Sequence, residues 1–134
     1  MQLIDHVSIS VPSLDSARPF YDAVMAALGA EKVYDQPDAL GYGVRCSAAE
    51  EGHSCLAVYE SAGAAPDPRR HWCFKASSRS QVRAFHEAGL DHGGRDDGAP
   101  GLRPHYHEHY YGAFLLDPFG NRVEAVCHRA EYED

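Results

Sequence analysis

Two histidines and one glutamate combine the residue types and strand positions that a divalent cation requires. His6 and His71 each stand near the start of a strand-like segment, and Glu124 lies within the final one. If each sheet buries its apolar face beneath a helix, alternation directs all three side chains to the opposite face. Two imidazoles and one carboxylate suit Zn, Ni, Co, Mn or Fe(II), and three protein ligands leave room for water and substrate, as in catalytic metal sites.

The two histidines occupy equivalent positions in an internal repeat, which covers residues 5–29 and 70–94. Asp5-His6-Val7-Ser8-Ile9 corresponds to Arg70-His71-Trp72-Cys73-Phe74. Taken singly, a strand histidine is more often an exposed or hydrogen-bonded polar residue than a ligand, and a lone glutamate more often forms a salt bridge. A duplicated unit that faces itself across a pseudo-twofold axis would bring both histidines to a shared cavity, and this favours the metal-site hypothesis.

The first unit is predicted to contain a strand, a helix and three further strands. Period-two alternation over residues 3–11 indicates the first strand. Apolar residues at helical spacing follow as far as Gly29, a residue type that favours the C-terminal end of a helix. We expect Ser16 rather than Ser13 to cap this helix, because Pro19 would then lie in its first turn. Short strands are expected around residues 30–35, 40–47 and 54–60.

The second unit repeats this order. A strand near 71–76 precedes a helix over about 79–90, capped by Ser78 or Ser80 and directing Val82, Phe85 and Leu90 inward. A short strand near residue 95, a Gly/Pro-rich loop over 97–105, and strands over 110–116 and 121–128 joined by a turn at 117–121 are expected to follow. Two β-α-β-β-β units predict an α+β protein, in which the faces opposite the helices could curl into a cup.

Length and composition limit the class of protein. A chain of 134 residues suits one domain: a first module over about 1–62, a linker over about 63–69, a second module over about 70–129 and an acidic tail over 130–134. The formal charge of −8 argues against nucleic-acid binding. No apolar run approaches a membrane span, and the chain opens on a strand-like run rather than a signal peptide, so we expect a cytoplasmic protein.

Four cysteines, at positions 46, 55, 73 and 127, lie in apolar runs without C-x-x-C spacing. Free cysteines in such surroundings are commonly buried. The pattern favours reduced, unreactive thiols, with a reactive thiol or a bridge as the alternative.

A run of histidines and tyrosines extends over residues 102–111, and its three histidines would share one face if it were extended. It predicts substrate contacts or catalytic groups for Arg103, His105, His107, Tyr110 and Tyr111. In this interpretation Arg103 binds a carboxylate or phosphate, and His107 or Tyr110 donates a proton or a hydrogen bond. An additional metal site and a solvated loop that covers the cavity are the alternatives.

Four short segments, spread over nearly the whole chain, carry a resemblance to one family. They are Asp5-His6-Val7, Phe20-Tyr21, His71-Trp72-Cys73-Phe74 and Asp117-Pro118-x-Gly120-Asn121-x-Val123-Glu124. The chain resembles the vicinal oxygen chelate superfamily, which includes glyoxalase I, bleomycin-resistance proteins, fosfomycin-resistance enzymes and extradiol dioxygenases. The resemblance implies paired βαβββ modules, a cupped eight-stranded mixed sheet and a homodimer. It also implies divalent-metal ligands at His6, His71 and Glu124, where the metal chelates neighbouring oxygens of a small-molecule substrate.

Two positions depart from particular members of that family. Glyoxalase I has a further glutamate ligand in the last strand of its first module, and matching Gly52-His53-Ser54-Cys55-Leu56 to the segment that ends at Glu124 places Leu56 there. Glu60 follows four residues later, roughly 13 Å along a strand. Extradiol dioxygenases have a catalytic tyrosine shortly before the terminal Asp-Pro, where this chain has Ala113-Phe114.

The ligand set favours a metal-dependent enzyme of glyoxalase or dioxygenase type, with lyase, isomerase or related chemistry on a substrate with vicinal oxygens. The alternative is a non-catalytic protein that sequesters a small molecule, as bleomycin-resistance proteins do. Such binders generally lack the complete His, His, Glu set, which this chain retains. A metal-binding sensor or carrier is a third hypothesis.

Overall fold

The protein consists of two copies of one β-α-β-β-β unit. The structure is a computed structural model that describes residues 3–45, 47–49 and 52–130. The first unit contains β1 (His6–Val11), α1 (Leu14–Ala27), β2 (Lys32–Gln36), β3 (Ala39–Gly43) and β4 (Cys55–Glu60). The second contains β5 (His71–Lys75), α2 (Arg79–Asp91), β6 (Arg95–Leu102), β7 (Tyr111–Leu116) and β8 (Arg122–Cys127). The predicted α+β class is confirmed.

The units form sheets of identical topology. Their strand orders are β1-β4-β3-β2 and β5-β8-β7-β6. In each sheet the first strand pairs in parallel with the last strand of its unit, and the remaining pairs are antiparallel. His6 stands opposite Cys55 and His71 stands opposite Arg122, so the two histidines are structurally equivalent. Strands β1 and β5 each occupy an edge.

The start of α1 differs from the prediction. Ser13, not Ser16, is the N-cap, and its side chain accepts a hydrogen bond from the backbone N–H of Ser16. Glu60 Oε1 accepts the N–H of Leu14 at 2.9 Å, which satisfies a second free donor of the first turn. These contacts start the helix one turn earlier, so that Pro19 lies inside it. The helix ends as expected, with Gly29 at a φ of +77°.

Two expectations for the second unit are also wrong. Leu90 is 42% exposed, because Val82, Phe85, His86 and Gly89 form the buried face of α2. Most of the segment expected to be a loop over 97–105 belongs to β6, which runs to Leu102. Register shifts interrupt its pairing with β7, and its position at the sheet edge accommodates Pro100 and the glycines. The cap of α2 is Ser78, as predicted.

One apolar core joins the two units. It combines both helices with side chains from both sheets, including Phe20 of α1, Phe85 of α2, Val58 and Val123. The ring of Phe20 crosses into the second unit, where a Cβ added at Gly94 would lie 2.6 Å from its Cε2 atom. Because both sheets turn their apolar faces to this core, their opposite faces point away from it, one on each unit.

Asp117 fixes the turn between β7 and β8. Its Oδ1 accepts the backbone N–H groups of Phe119 at 2.9 Å and Asn121 at 2.8 Å. Its Oδ2 accepts the hydroxyl of the buried Tyr21 at 2.6 Å and the side-chain amide of Asn121 at 2.8 Å. The predicted turn is confirmed, and it sets the residue at which β8 begins.

No helix of the described residues is long and apolar enough to cross a membrane. Among the described residues, Cys55, Cys73 and Cys127 form no disulfide, as predicted, and Cys127 is buried, but Cys73 is exposed. Cys46 and residues 131–134 of the expected acidic tail lie outside the described part of the chain.

Candidate functional site

The predicted alternation is confirmed in all three strands that carry the candidate ligands. The core side contains apolar residues of β1, β5 and β8: Val7, Ile9, Val11, Trp72, Phe74, Val123 and Ala125. His6, His71 and Glu124 alternate with them and therefore lie on the opposite faces. The Glu124 side chain is only 3% exposed although it faces outward, whereas the His71 side chain is 44% exposed.

Neighbouring side chains cover Glu124. The hydroxyl of Tyr110 donates a hydrogen bond to Glu124 Oε2. His71 Nε2 lies 3.4 Å from Oε1, and Cys73, directly opposite on β5, contacts both Glu124 and Tyr110. The structure thus brings together three predicted site residues, His71, Tyr110 and Glu124, on the open face of the second sheet.

Gly112 makes the contact between Tyr110 and Glu124 possible. A Cβ at this position would lie 3.1 Å from Cε1 of Tyr110 and 3.3 Å from Oε2 of Glu124. Gly112 and Cys73 are parts of this arrangement that the sequence motifs do not predict. A glycine within a strand does indicate a close approach of another group, and this signal was available at Gly112.

Loss of hydration and the Glu124 charge keep the two neighbouring acids protonated, although Cys73 as a residue is exposed. Desolvation, followed by the hydrogen bond to Glu124, raises the pKa of Tyr110 well above its ordinary value of 10.0. Desolvation and then the Glu124 charge raise the pKa of the Cys73 thiol to about 12. Tyr110 is therefore a hydrogen-bond donor at neutral pH, and Cys73 is a thiol rather than a nucleophilic thiolate.

The separation of His71 and Glu124 fits a shared metal ion. The 3.4 Å between Nε2 and Oε1 exceeds the usual hydrogen-bond range. Two donors that each bind a zinc-like ion at about 2.1 Å and at a tetrahedral angle stand about 3.4 Å apart. An imidazole nitrogen and a carboxylate oxygen are also the donor types that such ions take.

His6 is held on the first sheet. Its Nδ1 lies 2.7 Å from Asp5 Oδ2, and His53 Nε2 lies 2.8 Å from Asp5 Oδ1. The hydrogen bond from His6 holds the pKa of Asp5 below its ordinary value, and in the tautomer with its proton on Nδ1 a neutral His6 would keep the Nε2 lone pair for a ligand. Within the described residues of a single chain, no three His, Cys, Asp or Glu side chains form a metal-binding group.

The strand register corrects the position equivalent to Glu124. His6 pairs with Cys55 and Ser8 with Ala57, whereas Cys73 pairs with Glu124. Because His6 and His71 are equivalent, Ala57 and not Leu56 occupies the position of Glu124 in the first unit. Leu56 lies in the core. Ala57 has no donor atom, so the first unit has no equivalent of the Glu124 carboxylate.

The loop that contains Tyr110 is folded into turns rather than extended, so its histidines do not align on a strand. The N–H of His109 donates to His107 Nδ1 at 3.1 Å. A neutral His107 therefore carries its proton on Nε2 and donates it to His128 Nδ1 at 2.9 Å. His107 thus ties the loop to the end of β8.

Aromatic rings extend this packing. The ring centroids of Tyr106 and Tyr110 lie 4.7 Å apart, and those of His105 and Tyr106 lie 4.2 Å apart. His105 is thus part of the stack at the rim of the site. Tyr111 lies on the other side of the sheet, where Arg79 and Arg83 cover its ring, so the structure does not bring this predicted substrate residue to Glu124.

Arg103 occupies the open face beyond Phe114. Phe114 stands directly opposite Glu124 on β7, and the Arg103 guanidinium lies over its ring at 5.7 Å from the centroid. Nη2 of Arg103 donates to the carbonyl of Ala99 at 2.8 Å. Glu124, Phe114 and Arg103 therefore follow one another across the sheet.

A cleft of about 840 Å³ lies beside the edge strands β1 and β5. Its walls are mainly apolar and include Val7, Leu28, Leu56, Trp72 and Phe74, with His71 and Cys73 at its rim.

The comparisons with known proteins agree with this architecture. A family model described as the Glyoxalase/Bleomycin resistance protein/Dioxygenase superfamily matches residues 3–125. A solved glyoxalase/bleomycin resistance protein from Albidiferax ferrireducens T118 is 26% identical and covers 92% of this chain and 98% of its own, with a TM-score of 0.79. A glyoxalase/bleomycin resistance protein/dioxygenase family enzyme from Burkholderia phytofirmans PsJN is 18% identical, with coverages of 93% and 98% and a TM-score of 0.67. A search among curated proteins finds no significant match.

Proposed function

Because the chain belongs to the glyoxalase/bleomycin resistance protein/dioxygenase superfamily, we propose that it is a divalent-metal-dependent enzyme. It would act on a small molecule with vicinal oxygens, by lyase, isomerase or related chemistry. The observation that carries this proposal is the pairing of His71 Nε2 and Glu124 Oε1 at 3.4 Å, with Tyr110 donating to the other carboxylate oxygen. Burying the charged Glu124 carboxylate costs free energy unless a cation or hydrogen-bond donors compensate its charge.

The proposed ligands are His71 and Glu124 of one chain and His6 of a second copy. In a single chain, the sheet faces that the helices cover pack in the shared core. The open faces of the two sheets point away from that core, one on each unit. Among the described strands, β1 and β5 each end a sheet with an edge that pairs with no further strand and that a second copy could cover. Leu3, Ile4 and Val44, which line the cleft beside these edges, are at least half exposed, as expected of an interface.

A bound divalent ion would act as a Lewis acid and polarise the substrate oxygens. Tyr110 holds a proton on its hydroxyl oxygen at neutral pH and directs it to Glu124 Oε2, and it would donate that proton to a substrate oxygen only by exchanging this hydrogen bond. His107 fixes the loop through its bond to His128, and its proposed role is to hold Tyr110 in place or to donate a proton itself.

Metal analysis of untagged protein tests this proposal. We expect near-stoichiometric Zn²⁺, Ni²⁺ or Co²⁺ in the wild type after saturation and desalting, and loss of this metal in His71→Ala and Glu124→Gln. His92→Ala is the matched control, because His92 bonds the carbonyl of Ala88 at the end of α2. Equal metal content in all four proteins, or turnover that survives complete chelation, would contradict the proposal.

A non-catalytic small-molecule binder is the second candidate. The observation that favours it is the mainly apolar cleft beside β1 and β5, whose size suits a drug-sized ligand. This function predicts ligand affinity that is the same in metal-free and metal-loaded protein. The proposed enzyme requires metal for substrate binding. Titrating the ligand into metal-free and metal-loaded protein therefore distinguishes the two candidates.

A further inference from the structure

We propose that Arg103 binds a carboxylate of the substrate, so that the substrate is a small acid with vicinal oxygens at one end and a carboxylate at the other. The inference rests on the proposed function for the end that meets His71 and Glu124. The contact at the carboxylate end of the substrate depends only on Arg103, Phe114 and the glycines of β6.

Arg103 is partly exposed, and its guanidinium has no acidic partner within the described part of the chain. Three other cations of this acidic protein do have one: Arg18 pairs with Asp15, Lys32 with Asp22, and Arg122 with Asp97. One of the five N–H donors of Arg103 bonds the Ala99 carbonyl, and the others remain for a planar anion.

Two glycines of β6 make room for this guanidinium. A Cβ at Gly98 would lie 3.3 Å from Nη2 and 3.0 Å from Cδ1 of Phe114, and a Cβ at Gly101 would lie 3.2 Å from Nη1. Side chains at either position would displace the cation from the face of the Phe114 ring. The sheet is thus shaped to hold Arg103 where it lies.

The loop connections further fix its position. The Arg103 N–H donates to the carbonyl of Tyr110 at 2.7 Å, and the Tyr106 N–H donates to the carbonyl of Arg103 at 3.0 Å. The same short loop therefore holds the cation and the hydroxyl that meets Glu124. A cation that is already ordered loses little entropy when it binds an anion.

The position of Phe114 sets the length of the substrate. Phe114 lies between Glu124, its opposite residue on β8, and the Arg103 guanidinium above its ring. Adjacent strands are about 4.8 Å apart, so β8, which carries Glu124, and β6, which leads to Arg103, are roughly 10 Å apart. With about 3 Å for each contact, a compact acid whose vicinal oxygens and carboxylate are separated by a ring or a few carbons spans the remainder.

A matched set of probes tests the inference by calorimetry. The probes are 3,4-dihydroxybenzoate, its uncharged methyl ester, and 3,4-dimethoxybenzoate, which keeps the carboxylate but cannot chelate through hydroxyls. Hydrogen bonds to charged groups contribute about 1.5–3 kcal/mol, so wild-type protein is expected to bind the acid about 10- to 100-fold more tightly than the ester. Arg103→Gln should remove this preference and leave affinity for the ester and metal content unchanged.

Lys75→Gln is the control, since Lys75 is exposed on the same face of β5 as His71 and Cys73, and its removal lowers the charge equally. An acid-over-ester preference that persists in Arg103→Gln, or is lost equally in Lys75→Gln, overturns the inference. Stronger competition by inorganic phosphate than by acetate would overturn the assignment to a carboxylate.

The design separates the inference from the proposed function. If the protein binds no metal but binds 3,4-dimethoxybenzoate through Arg103, the carboxylate site is supported and the metal proposal is contradicted. Protein that binds metal at His71 and Glu124 but has equal affinity for acid and ester retains the metal proposal and overturns the inference.

Discussion

The hydroxyl of Tyr110 donates to Glu124 Oε2, which connects a loop to a strand 14 residues later. Phe114 stands near the place where the extradiol-dioxygenase motif has its tyrosine, and it has no hydroxyl. Tyr110 supplies one from another position, because Gly112 leaves the space between them open. Among the described residues of this face, Glu124 is the only buried carboxylate, and a phenolic hydroxyl donates to it. That hydroxyl comes from Tyr110, four residues before the place of the motif's tyrosine.

Replacing Tyr110 with phenylalanine removes this donor and keeps the ring. Partners that orient a metal-binding group typically change metal affinity 10- to 100-fold when they are mutated. We expect Tyr110→Phe to lower Zn²⁺ affinity by about this factor, with an unchanged circular dichroism spectrum. A competition titration with a chromophoric chelator measures the effect.

Tyr106→Phe is the matched control, because the Tyr106 ring packs on Tyr110 at 4.7 Å while the residue is 58% exposed. We expect its Zn²⁺ affinity to equal that of the wild type. An equal loss in both variants would assign the effect to the packing of the loop and not to the hydroxyl on Glu124.

Mixed dimers test whether two chains share the metal site. If His6 of one copy meets His71 and Glu124 of the other, His6→Ala and His71→Ala homodimers should each lose their metal. Co-refolding the two variants places both changes in one site of the heterodimer and leaves the other site intact. We therefore expect metal to return to the mixture at about half occupancy per heterodimer.

Differently tagged chains allow the heterodimer to be purified before metal analysis. A heterodimer without metal would show that each chain builds its own site. A monomer at micromolar concentration by analytical ultracentrifugation would equally contradict the shared site.

Local pattern was sufficient to predict the faces of the ligand strands. The side-chain period of a strand is two, so the apolar residues around Glu124 determine its direction once β8 is recognised. The turn before β8 was also predictable, because Asp117 and Asn121 bond within the turn itself. Both predictions depend only on residues close together in the chain.

Contacts between distant residues account for the errors. Ser13 caps α1 in a turn that Glu60 also stabilises by accepting the N–H of Leu14, 46 residues earlier, and no local rule includes that contact. The position equivalent to Glu124 was misplaced by one residue because the turns before β4 and β8 differ in length, and only strand pairing reveals it. The hydrogen bond from Tyr110 to Glu124 likewise depends on the path of the loop over residues 103–110, which has no periodic pattern.

Acid should weaken the contact between α2 and β6. His86, buried in α2, hydrogen-bonds Asp96 at 2.8 Å, and this bond, followed by the N–H of Gly98, lowers the pKa of Asp96 below its ordinary value of 3.8. A carboxyl group whose pKa is lower in the folded protein stabilises the fold above its ordinary pKa. That contribution is lost as the pH falls from about 3.8 through the lower folded value.

We therefore expect Asp96→Asn to have a lower urea midpoint than the wild type at pH 6, and the difference to shrink toward pH 2. Asp15→Asn is the control, since it removes a carboxylate that is 95% exposed beside Arg18. A difference between Asp96→Asn and wild type that is constant across this pH range would show that Asp96 does not act through its charge.

The bond between Tyr21 and Asp117 is expected to stabilise the fold without determining metal binding. Tyr21 is fully buried in α1, and Tyr21→Phe removes one of four hydrogen bonds to the Asp117 carboxylate while the turn retains the other three. The loss of a hydrogen bond to a buried charged group costs about 1.5–3 kcal/mol, so the free energy of unfolding in urea should fall by about that amount. Metal content should remain at the wild-type level, because pairing with β5 and β7 still sets the register of Glu124. A variant that unfolds like the wild type, or that keeps its stability and loses metal, would contradict this division between the turn and the site.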